Sequence, residues 1–170
     1  MTGVSNAGTA SLTDRPRTFV LVHGAWHGGW CWQRVADRLT AQGHRVFAPT
    51  LTGVCERSHL DSPSVDLSTH IRDVVNEIRW KDLENVVLVG HSYGGMVISG
   101  AAEQVASKIA SIVYLDAFVP ADGQSLGDLG GKCADGAGQK RLLGDDVVSG
   151  PRVDLRDREH QRLDRRHVAA

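Results

Sequence analysis

Glu84-Asn85-Val86-Val87-Leu88-Val89-Gly90-His91-Ser92-Tyr93-Gly94-Gly95-Met96-Val97-Ile98 is the stretch that decides the fold. Val86 to Val89 is a continuous apolar run, the pattern of a strand buried on both faces of a parallel sheet. Gly90 and Gly94 bracket Ser92. A serine on a sharp strand-to-helix turn needs neighbours without side chains, because a Cβ at either flank would collide with the strand or the helix start. With a strand before it and a helix predicted over Met96 to Val105 behind it, the G-x-S-x-G spacing reads as a nucleophile elbow.

Working outward, the alternation of short apolar runs with helical patterns continues in both directions. Thr18 to Val22 is a buried strand, and it runs into the loop His23-Gly24-Ala25-Trp26-His27-Gly28-Gly29-Trp30, rich in Gly, Trp and His. Trp32 to Gln42 is predicted helical from Val35, Ala36 and Leu39, with Gly43 as its stop. Arg45 to Ala48 is the next strand, Thr50 to Val65 a long loop, and Leu67 to Trp80 a helix whose Leu67, Ile71, Val74, Val75 and Ile78 share one face. Ile109 to Leu115 is a fourth strand, ending at Asp116. Strands alternating with helices predict an α/β fold, a parallel sheet with right-handed crossovers and a ligand site outside the C-terminal strand ends. With the first strand between the second and third, that site falls between Val22 and Val89, where the loop from His23 to Trp30 faces the elbow.

The composition is that of a globular chain of one domain: 170 residues, 41% apolar, 23% charged. A net charge of -1 offers no general attraction for nucleic acid or an anionic membrane. Cys31, Cys55 and Cys133 have no C-x-x-C or metal-type spacing, so they read as free thiols of a reducing compartment. No metal or cofactor pattern is present. Residues 1–17 are polar without the apolar core of a signal peptide and read as a flexible leader; 18–128 form the core and 129–170 an atypical polar tail. The expected location is the cytoplasm.

A serine hydroxyl becomes a nucleophile only when a histidine takes its proton and an acid holds that histidine. The oxyanion formed on attack needs donors, for which the backbone N–H groups of Tyr93 and Ala25 are the natural pair, with Gly24 allowing close approach. Asp116 reads either as the orienting acid or as a strand-end hydrogen-bond acceptor. Trp26, Trp30 and Trp32 could line an acyl pocket or pack the loop on the sheet. His91 is expected to point away from Ser92 in a structural role, and His27, His59 and His70 to lie on loop or helix surfaces.

FVLVHGAWHGGWCW at Phe19 to Trp32, together with GHSYGG at Gly90 to Gly95, resembles the α/β-hydrolase superfamily, in particular its hydroxynitrile lyase and plant methylesterase-like branch with bacterial esterase relatives. PTLTGVCERSHL at Pro49 to Leu60 and VYLDAFVPADGQSL at Val113 to Leu126 resemble the bacterial members, with Cys55 standing where the familiar phrase has Gly. The resemblance covers roughly residues 18–127. It implies Ser92 as nucleophile, Ala25 and Tyr93 as oxyanion donors, and His23 and Gly24 as the residues that shape that hole. The lyases carry Thr at the position of Gly24, so the resemblance favours hydrolysis of a small carboxylic ester over cyanohydrin cleavage.

The family pattern also calls for further strands bearing an acid and a catalytic histidine, and these are not recognisable after Asp116. Pro151 to Ala170 holds six Arg, four acidic residues and two His, the composition of a solvated segment. His160 and His167 are the remaining histidines, and neither follows an apolar run fit for a strand. The change of character near Gly131 reads as a frame shift or truncation. The expected architecture is a partial α/β-hydrolase fold lacking the last strands, with an apolar sheet edge at Ile112 to Leu115 open to self-association. A catalytically incompetent fragment or ligand-binding relative is the alternative to an active esterase.

Overall fold

The computed structural model describes residues 15–130. Four strands form one parallel sheet: β1 (Thr18–Val22), β2 (Arg45–Phe47), β3 (Val86–Ser92) and β4 (Ile109–Ala117), in the order β2-β1-β3-β4. The helices are α1 (Gln33–Ala41), α2 (Leu67–Trp80), α3 (Gly94–Val105) and the short α4 (Leu126–Gly130), with single 3₁₀ turns at Gly29–Trp32, Cys55–Leu60 and Ala106–Lys108. β1 lies between β2 and β3, so the chain reverses its direction of travel across the sheet between Val22 and the end of β3, as the sequence predicts for a switch point.

Two periodicities account for this architecture. Along β1 and β3, Val20, Val22, Val86 and Leu88 face the large core with α2 and α3, while Leu21, Val87 and Val89 face a smaller cluster with Trp32. Both faces are covered, which is why these strands are apolar throughout rather than alternating. α2 begins where Asp66 accepts the Thr69 N–H (2.7 Å), a cap worth about 1 kcal/mol. Its Leu67, His70, Ile71, Val74, Val75 and Ile78 form one buried stripe. α3 is buried almost all round and starts at Gly94, two residues earlier than its hydrophobic pattern announces. Gly100 lets it meet α2 closely: a Cβ there would lie 2.3 Å from Ile71 Cδ1.

The apolar positions of α1 do not seal a core in the same way, since none of its residues is fully buried and Val35 is exposed. β4 pairs with β3 and is an outer strand of the described sheet. Its Ile112 and Tyr114 pack toward the main core, whereas Val113 and Leu115 on the opposite face are 41% and 49% exposed. Among the described residues no helix is long and apolar enough to cross a membrane.

Candidate active site

Ser92 closes β3 with φ +53°, the left-handed conformation of an elbow. The two flanking glycines are required by distance. A Cβ on Gly90 would sit 2.7 Å from Gly94 O and 2.8 Å from Ile98 Cδ1, and one on Gly94 would sit 2.7 Å from Val22 O. Trp26, Cys55 and Asp116 also adopt positive φ, at 61°, 46° and 44°, in the segments that follow β1 and β2 and at the end of β4. Four of the six non-glycine residues with positive φ among the described residues thus lie at the carboxyl edge of the sheet, where α/β folds place their sites, and the other two, Asp82 and Asn85, lie before β3.

The loop after β1 reaches the elbow through Gly24. Its missing Cβ would lie 3.0 Å from Ser92 Cβ and 3.2 Å from His91 Nδ1, so the His23 to Trp30 loop and the elbow meet face to face. His23, only 1% exposed, anchors that loop. Its Nδ1–H donates to Gly24 O (2.7 Å) and its Nε2 accepts the Leu51 N–H (3.1 Å), a pair of bonds that fixes one neutral tautomer. Burial lowers the His23 pKa below its ordinary 6.5, outweighing the Gly24 carbonyl.

A histidine kept neutral in the fold but free to charge when unfolded makes the unfolded chain the better proton binder. Stability is therefore full above pH 6.5 and declines as pH falls from there toward the lowered value. In urea titrations at about pH 7.5 and about pH 5.5, the native chain is expected to lose more stability on acidification than His23→Gln does. Equal losses in the two proteins would contradict this role for His23.

The segment after β2 is held from several sides. Thr50 Oγ1 accepts the Gly29 N–H (2.8 Å) and donates to Glu56, which lowers the Glu56 pKa, and Arg57 Nη1 donates to Thr50 O (2.8 Å). The carboxylate of Asp73 on α2 accepts both the N–H (2.6 Å) and the hydroxyl (2.9 Å) of Thr52. His70, one turn before Asp73, bonds Thr52 O through Nε2 (2.9 Å) and the Tyr93 hydroxyl through Nδ1 (2.8 Å). This overturns the expected surface position of His70, which is 2% exposed. The signal was in the sequence: residue 70 falls three after Leu67 and four before Val74, inside the apolar stripe of α2.

The other candidates fall into place around this centre. Trp32 is buried in the smaller core cluster, while Trp26 and Trp30 are exposed, so Trp32 packs the sheet as one of the two expected readings has it. His91 is half-buried and meets Trp32 edge-on, with ring centroids 6.4 Å apart. His27 and His59 are exposed, as expected. Asp116 is exposed on a bulge of β4, between Leu115 opposite His91 and Ala117 opposite Ser92. Half-buried Cys55 takes the left-handed backbone that suits the glycine of the resembled phrase, and its Sγ lies 3.7 Å from Trp26 O. Ser92 Oγ makes no hydrogen bond among the described residues. Cys133, His160 and His167, together with residues 1–14 of the leader and most of the polar tail, lie outside them.

An elbow serine thus faces a glycine loop across the switch point of a parallel sheet. The model of the alpha/beta hydrolase family matches residues 19–169. The chain belongs to the alpha/beta hydrolase family. Over 108 residues, 64% of this chain and 45% of the relative, it is 61% identical to a carbendazim hydrolyzing esterase of Nocardioides sp. (strain SG-4G). It is 41% identical over 118 residues to Methylesterase 1 of Arabidopsis thaliana, covering 65% of this chain and 43% of that protein. Among solved structures it is similar to an extracellular alpha/beta-hydrolase from a Paenibacillus species, with a TM-score of 0.62 and 40% identity over 66% of this chain and 46% of that one. This alpha/beta hydrolase chain thus spans about half the length of the relatives it matches, in keeping with the partial fold expected from its sequence.

Proposed function

We propose that this chain carries the nucleophile half of a serine esterase acting on small carboxylic esters. The observation that carries the reading is the apposition of Gly24 to Ser92, 3.0 Å from a Gly24 Cβ position to Ser92 Cβ, on an elbow with φ +53°. In the proposed reaction Ser92 Oγ bonds to the ester carbonyl carbon, and the developing oxyanion takes hydrogen bonds from the Ala25 and Tyr93 N–H groups. The carbon–oxygen bond to the alkoxy group then breaks, and the alcohol departs with the proton that Ser92 gave up. Water attacks the acyl-enzyme, the acid is released and the Ser92 hydroxyl is restored. The esterase names of the relatives support this reading, and they refer to proteins about twice as long.

A second reading follows from the sequence, in which neither His160 nor His167 follows an apolar run fit for a strand: a chain that retains the elbow and does not turn over. Removing a triad member costs serine hydrolases on the order of a million-fold in turnover and leaves about a thousand-fold over water. A fluorophosphonate probe separates the two readings, because it forms an Oγ–P bond as the P–F bond breaks and fluoride leaves. Stoichiometric phosphonylation at Ser92, with Ser92→Ala as the blank, is expected of the esterase. Folded protein that takes up no probe would decide for the inert relative.

A further inference from the structure

We propose that His70 is a positioning residue for the elbow, strutting Tyr93 against the Thr52 carbonyl so that the backbone N–H of Tyr93 is held toward the carbonyl oxygen of an ester on Ser92. The inference deepens the proposed esterase reading and rests on it for the direction of that N–H; the strut itself does not.

Three observations combine. First, the partners select the tautomer. Thr52 O can only accept, so His70 Nε2 bears the hydrogen, and in the neutral ring the bare Nδ1 accepts the hydroxyl proton of Tyr93. Second, the arrangement leaves no slack. His70 and Tyr93 are both buried, their rings meet edge to face at 5.7 Å and 80°, and the Thr52 end is clamped to the same helix by the two Asp73 bonds. Third, Leu51, adjacent to Thr52, donates its N–H to His23, which bonds Gly24 O beside Ala25. Two buried histidines therefore tie the two proposed oxyanion segments to one post, Leu51-Thr52. The side chain after the nucleophile is not spectator packing but a brace reaching from the residue that caps α3 to α2.

The experiment compares the full chain with Tyr93→Phe, which keeps the ring and removes only the hydroxyl, and with His70→Leu, which removes both ring nitrogens. Fluorophosphonate labelling of Ser92 is expected to slow about ten- to a hundred-fold in each, through the rate of bond formation and not through probe affinity, as misplacement of a reacting geometry does. The double variant should be no slower than the slower single one. Amide exchange at Tyr93 and the ¹⁵N shifts of His70 give a readout independent of labelling. The native ring should show a protonated Nε2 and a bare, accepting Nδ1, and Tyr93→Phe should shift the Nδ1 signal and speed Tyr93 exchange. If the native chain is not labelled, the esterase reading fails and exchange alone judges the strut. Unchanged labelling in both single variants, or Tyr93 exchange unchanged in Tyr93→Phe, would overturn the proposal. Should His70→Leu fail to fold, Tyr93→Phe decides by the same criteria.

Discussion

Gly95→Ala is expected to be strongly destabilising, costing about 3 kcal/mol or more of the roughly 5–15 kcal/mol that a domain of this kind possesses. A Cβ at position 95 would lie 2.0 Å from Phe118 O and 3.0 Å from Ala117 Cβ. Overpacking is tolerable where a neighbour can retreat, and here none can. Phe118 is fixed to the elbow because its N–H donates to Ser92 O (3.1 Å). α3 is stopped on another side by Gly94, whose Cβ position is 2.7 Å from Val22 O at the end of β1, and on a third by Gly100 against Ile71 of α2. The helix is seated between the ends of β1 and β4 and the body of α2, so the methyl must move backbone.

Urea unfolding measures the effect: with a slope of about 1.5 kcal/mol per molar, the midpoint should fall by about 2 M. Two other glycines supply the contrast. Among the described residues Gly127 in α4 has only Ser125 Oγ nearby, at 3.6 Å, so Gly127→Ala should be neutral or stabilising by up to about 1 kcal/mol. Gly43 has open space but φ +85°, so Gly43→Ala should cost about 1 kcal/mol from strain alone. A Gly95→Ala protein within about 1 kcal/mol of the native one would mean that α3 and the end of β4 are not in the contact described.

Strands and helices were legible wherever one local pattern decided them. Thr18–Val22 and Leu67–Trp80 emerge at the bounds that their apolar spacing predicts, because a strand buried on both faces and a helix with one apolar stripe each write a period into the chain. α3 was legible in kind and not in its start, since Gly94 and Gly95 are poor helix formers that stand there for clearance, not propensity. α1 shows the converse: Val35, Ala36 and Leu39 mark an apolar side, but spacing within a helix carries no information on what covers it. Of the candidate site, the conformation of Ser92 could be read from its glycines together with the apolar run before them and the helical pattern behind them. The meeting of Gly24 with Ser92 could be anticipated only by assuming a strand order, because two loops distant in sequence share no periodicity. His70 was misread because a polar residue on an amphipathic helix is ordinarily exposed, and its two hydrogen-bond partners, Thr52 O and the Tyr93 hydroxyl, come from other elements.

Gly24→Val should act on chemistry where Gly95→Ala acts on the fold. At position 24 a single Cβ already stands 3.0 Å from Ser92 Cβ, 3.2 Å from His91 Nδ1 and 3.3 Å from His91 O, distances that oblige the neighbours to give by a few tenths of an ångström. Two further methyl groups cannot be absorbed there without driving the loop off the elbow. The elbow is the fixed partner, since Ser92 belongs to β3, paired on both sides, and its carbonyl is bonded to Phe118. The His23 to Trp30 loop must therefore yield, and Ala25 moves with it, away from any oxyanion on Ser92. Loss of one oxyanion donor costs about a hundred- to a thousand-fold, and a displacement near 1 Å can cost about a hundred-fold, so fluorophosphonate labelling of Ser92 should slow about a hundred-fold or more in Gly24→Val. Gly24→Ala should fall in between, at about ten-fold, because its one Cβ sits at the limit of close contact. Thermal unfolding should move less than in Gly95→Ala, because the first Cβ meets its neighbours at 3.0–3.3 Å at position 24 and at 2.0 Å at position 95. Labelling of Gly24→Val at the native rate would place the first loop outside the site, and with it the assignment of Ala25.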